Sequence, residues 1–350
     1  MSLIEVKDLS IRFPSSQGPL LAVDRLSFSV DCGETLAIVG ESGCGKSVTA
    51  LALMRLLTAS TKVTGSIAFE GRELTTLPER QMRSLRGNRL AIIFQDPMAA
   101  LNPVMTIGDQ IVEAVRAHEP VSKQAARKRA EELLELVHIP EPHRRLDEYP
   151  HRFSGGMRQR AAIAMALAAK PSLLIADEPT TALDVTIQAQ ILSLLHRLQR
   201  DLGMGLILIT HDLGVVAETA DRVLVMYAGK QVERQDVYGL FDRPLHPYTQ
   251  RLMGAKPHLQ ADSTGTPKRL QEIPGLVPSL AQIPVGCAFA SRCDLADAHC
   301  RSVRPELEPL GPDGLVACHK ADQIQKVALV PKPVRVQSLP ERVDSAARAA

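Results

Sequence analysis

The sequence predicts an α/β fold with a helical insertion, followed by a small irregular unit that carries cysteines. Three observations predict it. Over residues 1–235, short apolar runs alternate with helical patterns, which is the order of a largely parallel sheet covered on both faces. Residues 105–169 break that rhythm and read almost wholly helical, with Glu131–Leu136 the clearest stretch. From residue 257 the composition shifts, and Pro257, Pro267, Pro274, Pro278 and Pro284 punctuate a stretch of little periodicity. The 350 residues suit roughly two domains. The expected layout is an α/β domain over 1–256 with its helical part near 97–170, an extension over 257–325, and a flexible tail over 326–350 rich in Pro, Arg and Ala.

The elements follow in order. Thr35–Val39 is a short buried strand, and Gly40-Glu41-Ser42-Gly43-Cys44-Gly45-Lys46-Ser47 follows it before a helical run from Val48 to Leu57. This is G-x-x-x-x-G-K-S in its required strand–loop–helix context. Glycines let the backbone turn its amides onto phosphate oxygens, and the helix N-terminus adds its dipole. Lys46 is placed to reach the β- and γ-phosphates, and the Ser47 hydroxyl to hold Mg²⁺. Leu90–Phe94, Leu173–Ala176 and Leu206–Ile209 are the next strands. Asp177 and Glu178 end the third of these four runs, where one carboxylate can bind Mg²⁺ and the next can polarise an attacking water. Ser154-Gly155-Gly156 opens the helix that runs to Ala169. A serine cap and two glycines make a second anion site. The economical explanation is that it serves the nucleotide of a facing subunit.

Composition narrows the classes. Lys and Arg total 41 against 39 Asp and Glu, without the basic excess of a strong nucleic-acid binder. No run reaches the ~18 apolar residues of a spanning helix; Ala161–Ala169 stops at Lys170. Residues 1–5 lack a charged segment leading into a long apolar one, so no signal peptide is expected. The expectation is a soluble cytosolic chain whose membrane role comes through partners. Six cysteines in a reducing compartment do not argue for disulfides. Cys32 and Cys44 stand alone, whereas Cys287, Cys293, Cys300 and Cys318 cluster with x5, x6 and x17 spacing. Four thiolates suit Zn²⁺ or an iron–sulfur cluster, with His299 and His319 able to substitute for zinc; the alternative is four reduced thiols packed as small hydrophobes.

The phosphate loop, the Phe153-Ser154-Gly155-Gly156-Met157-Arg158-Gln159 segment, the Asp177-Glu178 pair, Gln95, Thr181-Ala182-Leu183-Asp184 and His211 together resemble an ABC-type ATPase over residues 1–250. The resemblance implies a P-loop, ABC-type nucleotide-binding domain with an inserted helical subdomain. It implies a head-to-tail dimer that sandwiches ATP and Mg²⁺ between the loop of one subunit and the signature of the other. Carried over, Gly40, Ser42, Gly43, Gly45, Lys46, Ser47 and Val48 contact ATP, and Phe13 stacks on its adenine. Ser47, Gln95 and Asp177 hold Mg²⁺, Glu178 is the base, and His211 holds the γ-phosphate. Ser154, Gly155, Gly156 and Gln159 act in trans, and Asp184 speaks across the dimer.

Glu148-Tyr149-Pro150-His151-Arg152 before the signature, Phe94–Pro103, and His246-Pro247-Tyr248 resemble the dipeptide/oligopeptide importer branch. That resemblance implies a second, paralogous ATPase subunit, two membrane permeases and an extracytoplasmic peptide-binding protein. It implies a place on the cytoplasmic face of the inner membrane and no nucleic-acid partner. A soluble ABC ATPase acting on nucleic acid or ribosomes is the alternative. Met98, Leu101 and Val104 are expected to be exposed and to receive a permease helix, or else to pack on the helical subdomain. Gly286-Cys287-Ala288-Phe289-Ala290-Ser291-Arg292-Cys293 resembles a segment through which some relatives bind a [4Fe–4S] cluster. The resemblance thus implies a cluster on the four cysteines, with zinc the alternative.

Overall fold

The structure, a computed structural model, describes residues 2–16, 18–181, 183–254, 273–310 and 314–326. The tail expected over 326–350 lies outside the described residues from 327 onward. In chain order the strands are β1 (Ser2–Phe13), β2 (Leu20–Asp31), β3 (Thr35–Val39), β4 (Lys62–Phe69), β5 (Arg72–Glu73), β6 (Leu90–Ile93), β7 (Leu173–Asp177), β8 (Gly205–Ile209), β9 (Arg222–Tyr227), β10 (Lys230–Asp236), β11 (Glu308–Pro309) and β12 (Leu315–Val316). The helices are α1 (Lys46–Leu53), α2 (Glu79–Leu85), α3 (Pro97–Ala100), α4 (Ile107–His118), α5 (Lys123–Leu136), α6 (Pro142–Arg145), α7 (Gly155–Ala166), α8 (Val185–Leu202), α9 (Leu213–Thr219), α10 (Val237–Asp242), α11 (Pro247–Gly254), α12 (Ala298–Ser302) and α13 (Ala321–Lys326).

The main sheet runs β11-β12-β10-β9-β3-β8-β7-β6, with β9, β3, β8, β7 and β6 parallel. Its central strands are buried on both faces, so they read as continuous apolar runs. Alternate side chains enter different cores. Ile175, Ile207 and Ile209 pack toward α1 and the N-terminal sheet, while Leu174, Ala176, Leu206 and Leu208 pack toward the helical layer. Every element between β6 and β7 is helical, and α4, α5 and α7 share the Leu174–Leu208 core.

A second sheet was not anticipated. Strands β2-β1-β4-β5 form an antiparallel layer of their own. Its pattern is hard to read because β1 breaks register between Val6 and Leu9, where Asp8 adopts a φ of 49°. A bulge of this kind shifts the period-2 alternation to the other face.

The extension packs onto the cassette. Its β12 pairs antiparallel with β10, Glu233 opposite Val316 and Arg234 opposite Leu315, so it lengthens the main sheet. Phe289 shares a core with Val39, Val225, Tyr227 and Tyr248. The short irregular segments alone would bury too little to order themselves; the cassette's sheet edge supplies the partner.

Candidate nucleotide site

The parallel strands deliver their C-terminal ends to one edge, which is where open α/β sheets bind ligands. The phosphate loop leaves β3, Thr210 and His211 leave β8, Asp177 and Glu178 end β7, and Gln95 follows β6. Since β3, β8, β7 and β6 are consecutive neighbours, four sequence-distant motifs become adjacent.

Gly45 caps α1 at a left-handed φ of 101°, and a Cβ there would lie 2.7 Å from the Ala22 carbonyl oxygen. Only glycine meets both conditions. Lys46 is buried, and its Nζ donates to the carbonyls of Gly40 at 2.8 Å and Glu41 at 3.1 Å. The ammonium is thereby held over the loop that would receive phosphate. Ser42 and Gly43 are exposed, and Val48, in the first turn of α1, packs on the core. Phe13 ends β1 half-buried against the same core.

Ser47 Oγ donates to Asp177 Oδ1 at 3.0 Å. Burial raises the Asp177 carboxyl above the usual range, opposed by that hydrogen bond. A buried carboxylate and a hydroxyl, both hard oxygen donors, suit Mg²⁺ alongside substrate phosphates. Gln95, expected with them, instead donates from Nε2 to Glu178 Oε2 at 3.3 Å.

Glu178 is where the motifs converge. Its Oε2 also accepts from Thr181 Oγ1 at 2.9 Å and stands 3.6 Å from His211 Nδ1, while its Oε1 stands 3.9 Å from Lys46 Nζ. The residue takes a left-handed φ of 45°, uncommon for a residue with a side chain. Its N–H donates to the Ile209 carbonyl at 2.9 Å, which pins the turn. Glu178, Thr180, Thr181, Leu183, Gln188, Thr210 and His211 line a cleft of about 250 Å³. Gln188 was not anticipated; its Nε2 donates to Asp212 Oδ2 at 3.1 Å and so ties α8 to the turn after β8.

Ser154 caps α7, its Oγ accepting from the Met157 N–H at 3.3 Å, and Ser154 and Gly155 are exposed. Gly156 lies against Ile187. Gln159 is 1% exposed, one helical turn along α7 from the exposed Gly155. Asp184 is exposed and caps α8, accepting from the Ile187 N–H at 3.0 Å. The segment after Gln95 divides between the two expectations. Val104 is 79% exposed, but Leu101 is buried in the helical core and Met98 is half-buried. Gln110 holds that segment in place, bonded to both the N–H and the carbonyl of Asn102.

In the extension, Cys287, Cys293, Cys300 and Cys318 line one void of about 20 Å³ together with His246, Phe289 and His319. That volume admits roughly one water. All four are free thiols. Burial raises Cys287 and Cys293 and pushes Cys318 up to about 12. Among the described residues, no group of three or more His, Cys, Asp or Glu is arranged to hold a metal ion. The expected [4Fe–4S] cluster and its zinc alternative are thus not supported by the arrangement of the side chains; the convergence of four thiols is.

A phosphate loop whose lysine and serine face a carboxylate pair on the second strand over is the working centre of a P-loop NTPase. Comparison with known proteins narrows the class. Residues 23–181 match the family model for ABC transporter and residues 232–300 that for oligopeptide/dipeptide transporter, C-terminal region. A probable peptide ABC transporter ATP-binding protein of Sinorhizobium fredii is 54% identical across 92% of this chain and 96% of its own length. The oligopeptide transport ATP-binding protein OppD of Salmonella typhimurium is 49% identical across 91% and 93%. The ATP-binding cassette MJ0796, solved as a dimer bound to ADP and Pi after hydrolysis, matches with a TM-score of 0.61 at 26% identity, covering 67% of this chain and 98% of that one. The chain belongs to the ATP-binding proteins of ABC transporters, an ATPase family, and carries the C-terminal region of the oligopeptide/dipeptide branch.

Proposed function

We propose that the chain is the ATP-hydrolysing subunit of a membrane importer for di- and oligopeptides, paired with a second, related ATPase subunit in a nucleotide sandwich. The convergence of Gln95, Thr181, His211 and Lys46 on the Glu178 carboxylate carries the hydrolytic reading. The peptide-transport names of the relatives and the matched C-terminal region support the cargo class. The dimeric cassette MJ0796 supports the sandwich.

In this reading Phe13 stacks on adenine, the amides of Gly40–Ser47 cradle the phosphates, and Lys46 turns from the loop carbonyls onto the β- and γ-oxygens. Ser47 and Asp177, with Gln95 if freed from Glu178, would hold Mg²⁺, which would neutralise phosphate charge. Glu178 accepts the proton of the attacking water, Gln95 and His211 orient water and γ-phosphate, and the facing chain's Ser154-Gly155-Gly156 motif closes the site. In the same reading Asp184 meets the facing subunit, and the exposure of its neighbour Val185, 83%, supports this. Two permeases receive the stroke at the Gln95–Val104 segment, and an extracytoplasmic binding protein delivers peptide. No helix among the described residues is long and apolar enough to cross a membrane; the transporter names of the relatives support attachment at the cytoplasmic face of the inner membrane through the permeases.

On the resemblance of the Gly286–Cys293 segment, we assign the four thiols to a [4Fe–4S] cluster, with zinc the alternative, in a void of about 20 Å³ that would have to open to admit it. Buried thiols lose their protons only when a cation repays the charge, and the cluster would staple a unit with little core of its own. Iron and acid-labile sulfide counted after anaerobic purification test this; a metal-free extension that is stable and folded refutes it.

The test of the motor is twofold. Glu178→Gln should retain ATP while turnover falls ~10²–10⁴-fold; undiminished turnover sinks the assignment. Purification from mildly solubilised native membranes should bring two polytopic permeases and a second cassette. Ribosomes, nucleic acid or soluble partners alone would overturn the transport reading.

A further inference from the structure

The extension reaches into the phosphate loop. Arg292, one residue before Cys293, has a side chain only 3% exposed. A guanidinium carries five N–H donors, and here five hydrogen bonds leave it. Nε donates to the Pro274 carbonyl at 2.9 Å. Nη1 donates to Glu41 Oε2 at 2.7 Å and to Tyr227 Oη at 3.2 Å. Nη2 donates to Glu41 Oε1 at 3.0 Å and to the Ile273 carbonyl at 3.2 Å. The pair with Glu41 is the two-pronged fork that fixes a carboxylate in direction as well as distance. It spans 251 residues of sequence.

Glu41 is the second residue of the phosphate loop, and a second group from the C-terminal side grips it. The Glu41 N–H donates to Tyr248 Oη at 2.8 Å. Tyr248 is fully buried and packs against Tyr227 and Phe289, with ring centroids 4.7 and 5.4 Å away. The Glu41 carbonyl accepts from Lys46 Nζ. One loop residue is therefore held at its amide by Tyr248 and at its carboxylate by Arg292, while its carbonyl orients the lysine assigned to phosphate.

We propose that Arg292 and Tyr248 are positioning residues of the ATP site, through which the C-terminal extension sets the shape of the phosphate loop. This rests on the assignment of Gly40–Ser47 as the nucleotide loop. It makes the extension part of the affinity for ATP. Coupling between two sites is reciprocal, so ATP in turn steadies the segment that carries the cysteines. If Arg292 only fastened the extension to the cassette, its loss would lower stability and leave ATP affinity alone.

The experiment uses the full chain and equilibrium binding of MgATP. Glu41→Gln and Tyr248→Phe leave the packing of the extension in place, so they avoid the risk that Arg292→Gln unfolds it. Glu41→Gln should weaken MgATP binding about tenfold, and Tyr248→Phe about threefold, the loss of one hydrogen bond. Hydrogen exchange supplies the second readout. MgATP should slow amide exchange over residues 287–293 in the wild type and not in Glu41→Gln. Unchanged affinity in Glu41→Gln and Tyr248→Phe, or equal slowing in both proteins, overturns the proposal while the nucleotide loop stands. A wild type that does not bind MgATP overturns the loop assignment as well.

Discussion

The contact between the first turns of α7 and α8 predicts what a single methyl group should do. A Cβ built on Gly156 lies 2.7 Å from Ile187 Cγ2 and 3.8 Å from Ile187 Cβ and Cδ1. Two carbons rest at about 3.5–4.0 Å, so Gly156→Ala must separate the helices by roughly 1 Å. Ile187 cannot turn aside cheaply, because branching at Cβ leaves one strongly preferred χ1 in a helix. Overpacking of this kind costs about 1–3 kcal/mol. The same displacement moves Ser154 and Gly155 relative to Asp184. A misplacement of ~1 Å can cost about 10²-fold in rate. The assay pairs urea unfolding of the isolated chain with ATP turnover in the assembled complex. The control is Ile187→Leu, which moves the branch from Cβ to Cγ and vacates the clashing atom; alone it should cost less than about 1.5 kcal/mol. Gly156→Ala/Ile187→Leu should recover stability and part of the turnover. A double variant as impaired as Gly156→Ala, or a Gly156→Ala protein of full stability, would refute the steric argument.

Other expectations follow from the same geometry. Leu101→Ala should lose about 2–5 kcal/mol of unfolding free energy, because a buried leucine of the helical core is removed. Val104→Ala, three residues on and exposed, should stay within about 0.5 kcal/mol yet weaken recovery of the permeases; equal unfolding midpoints for the two variants would contradict the assignment. Glu73 makes an acid-sensitive contact. Its burial would raise the carboxyl, but hydrogen bonds from Ser66, from the hydroxyl and N–H of Thr75, and from the Ile67 N–H lower it to about 2. A depressed carboxylate contributes stability above its ordinary value and loses it as pH falls. The contribution should therefore be complete above about 4.5 and disappear toward about 2. Acid titrations of unfolding should show a shallower loss in Glu73→Gln over that window, and parallel curves would dismiss the contact.

Much of the site is written locally. The phosphate loop is legible because its glycines, lysine and serine are consecutive and sit between a strand and a helix. The strands β3, β7 and β8 are legible because burial on both faces demands unbroken apolar runs. The helical insertion shows in its own 3.6-residue periodicity and in caps such as Thr106 and Ser122. Resemblance to a family placed Gln95 and His211 near the reaction, which residue type alone could not do.

The tertiary structure decided whatever depends on which strand neighbours which. Glu178 meets Gln95 and His211 only because β7 lies between β6 and β8. Leu101 and Val104 look alike in sequence, and only the packing of α3 and α4 buries one and leaves the other in water. Gln159 sits in the signature by sequence and under it by fold. The antiparallel N-terminal sheet escaped because a bulge at Asp8 interrupts the alternation that would announce it. The grip of Arg292 on Glu41 was invisible for the same physical reason. A sequence records which groups can pair, whereas the sheet order, chosen by the sum of all burial, settles which groups meet across 251 residues.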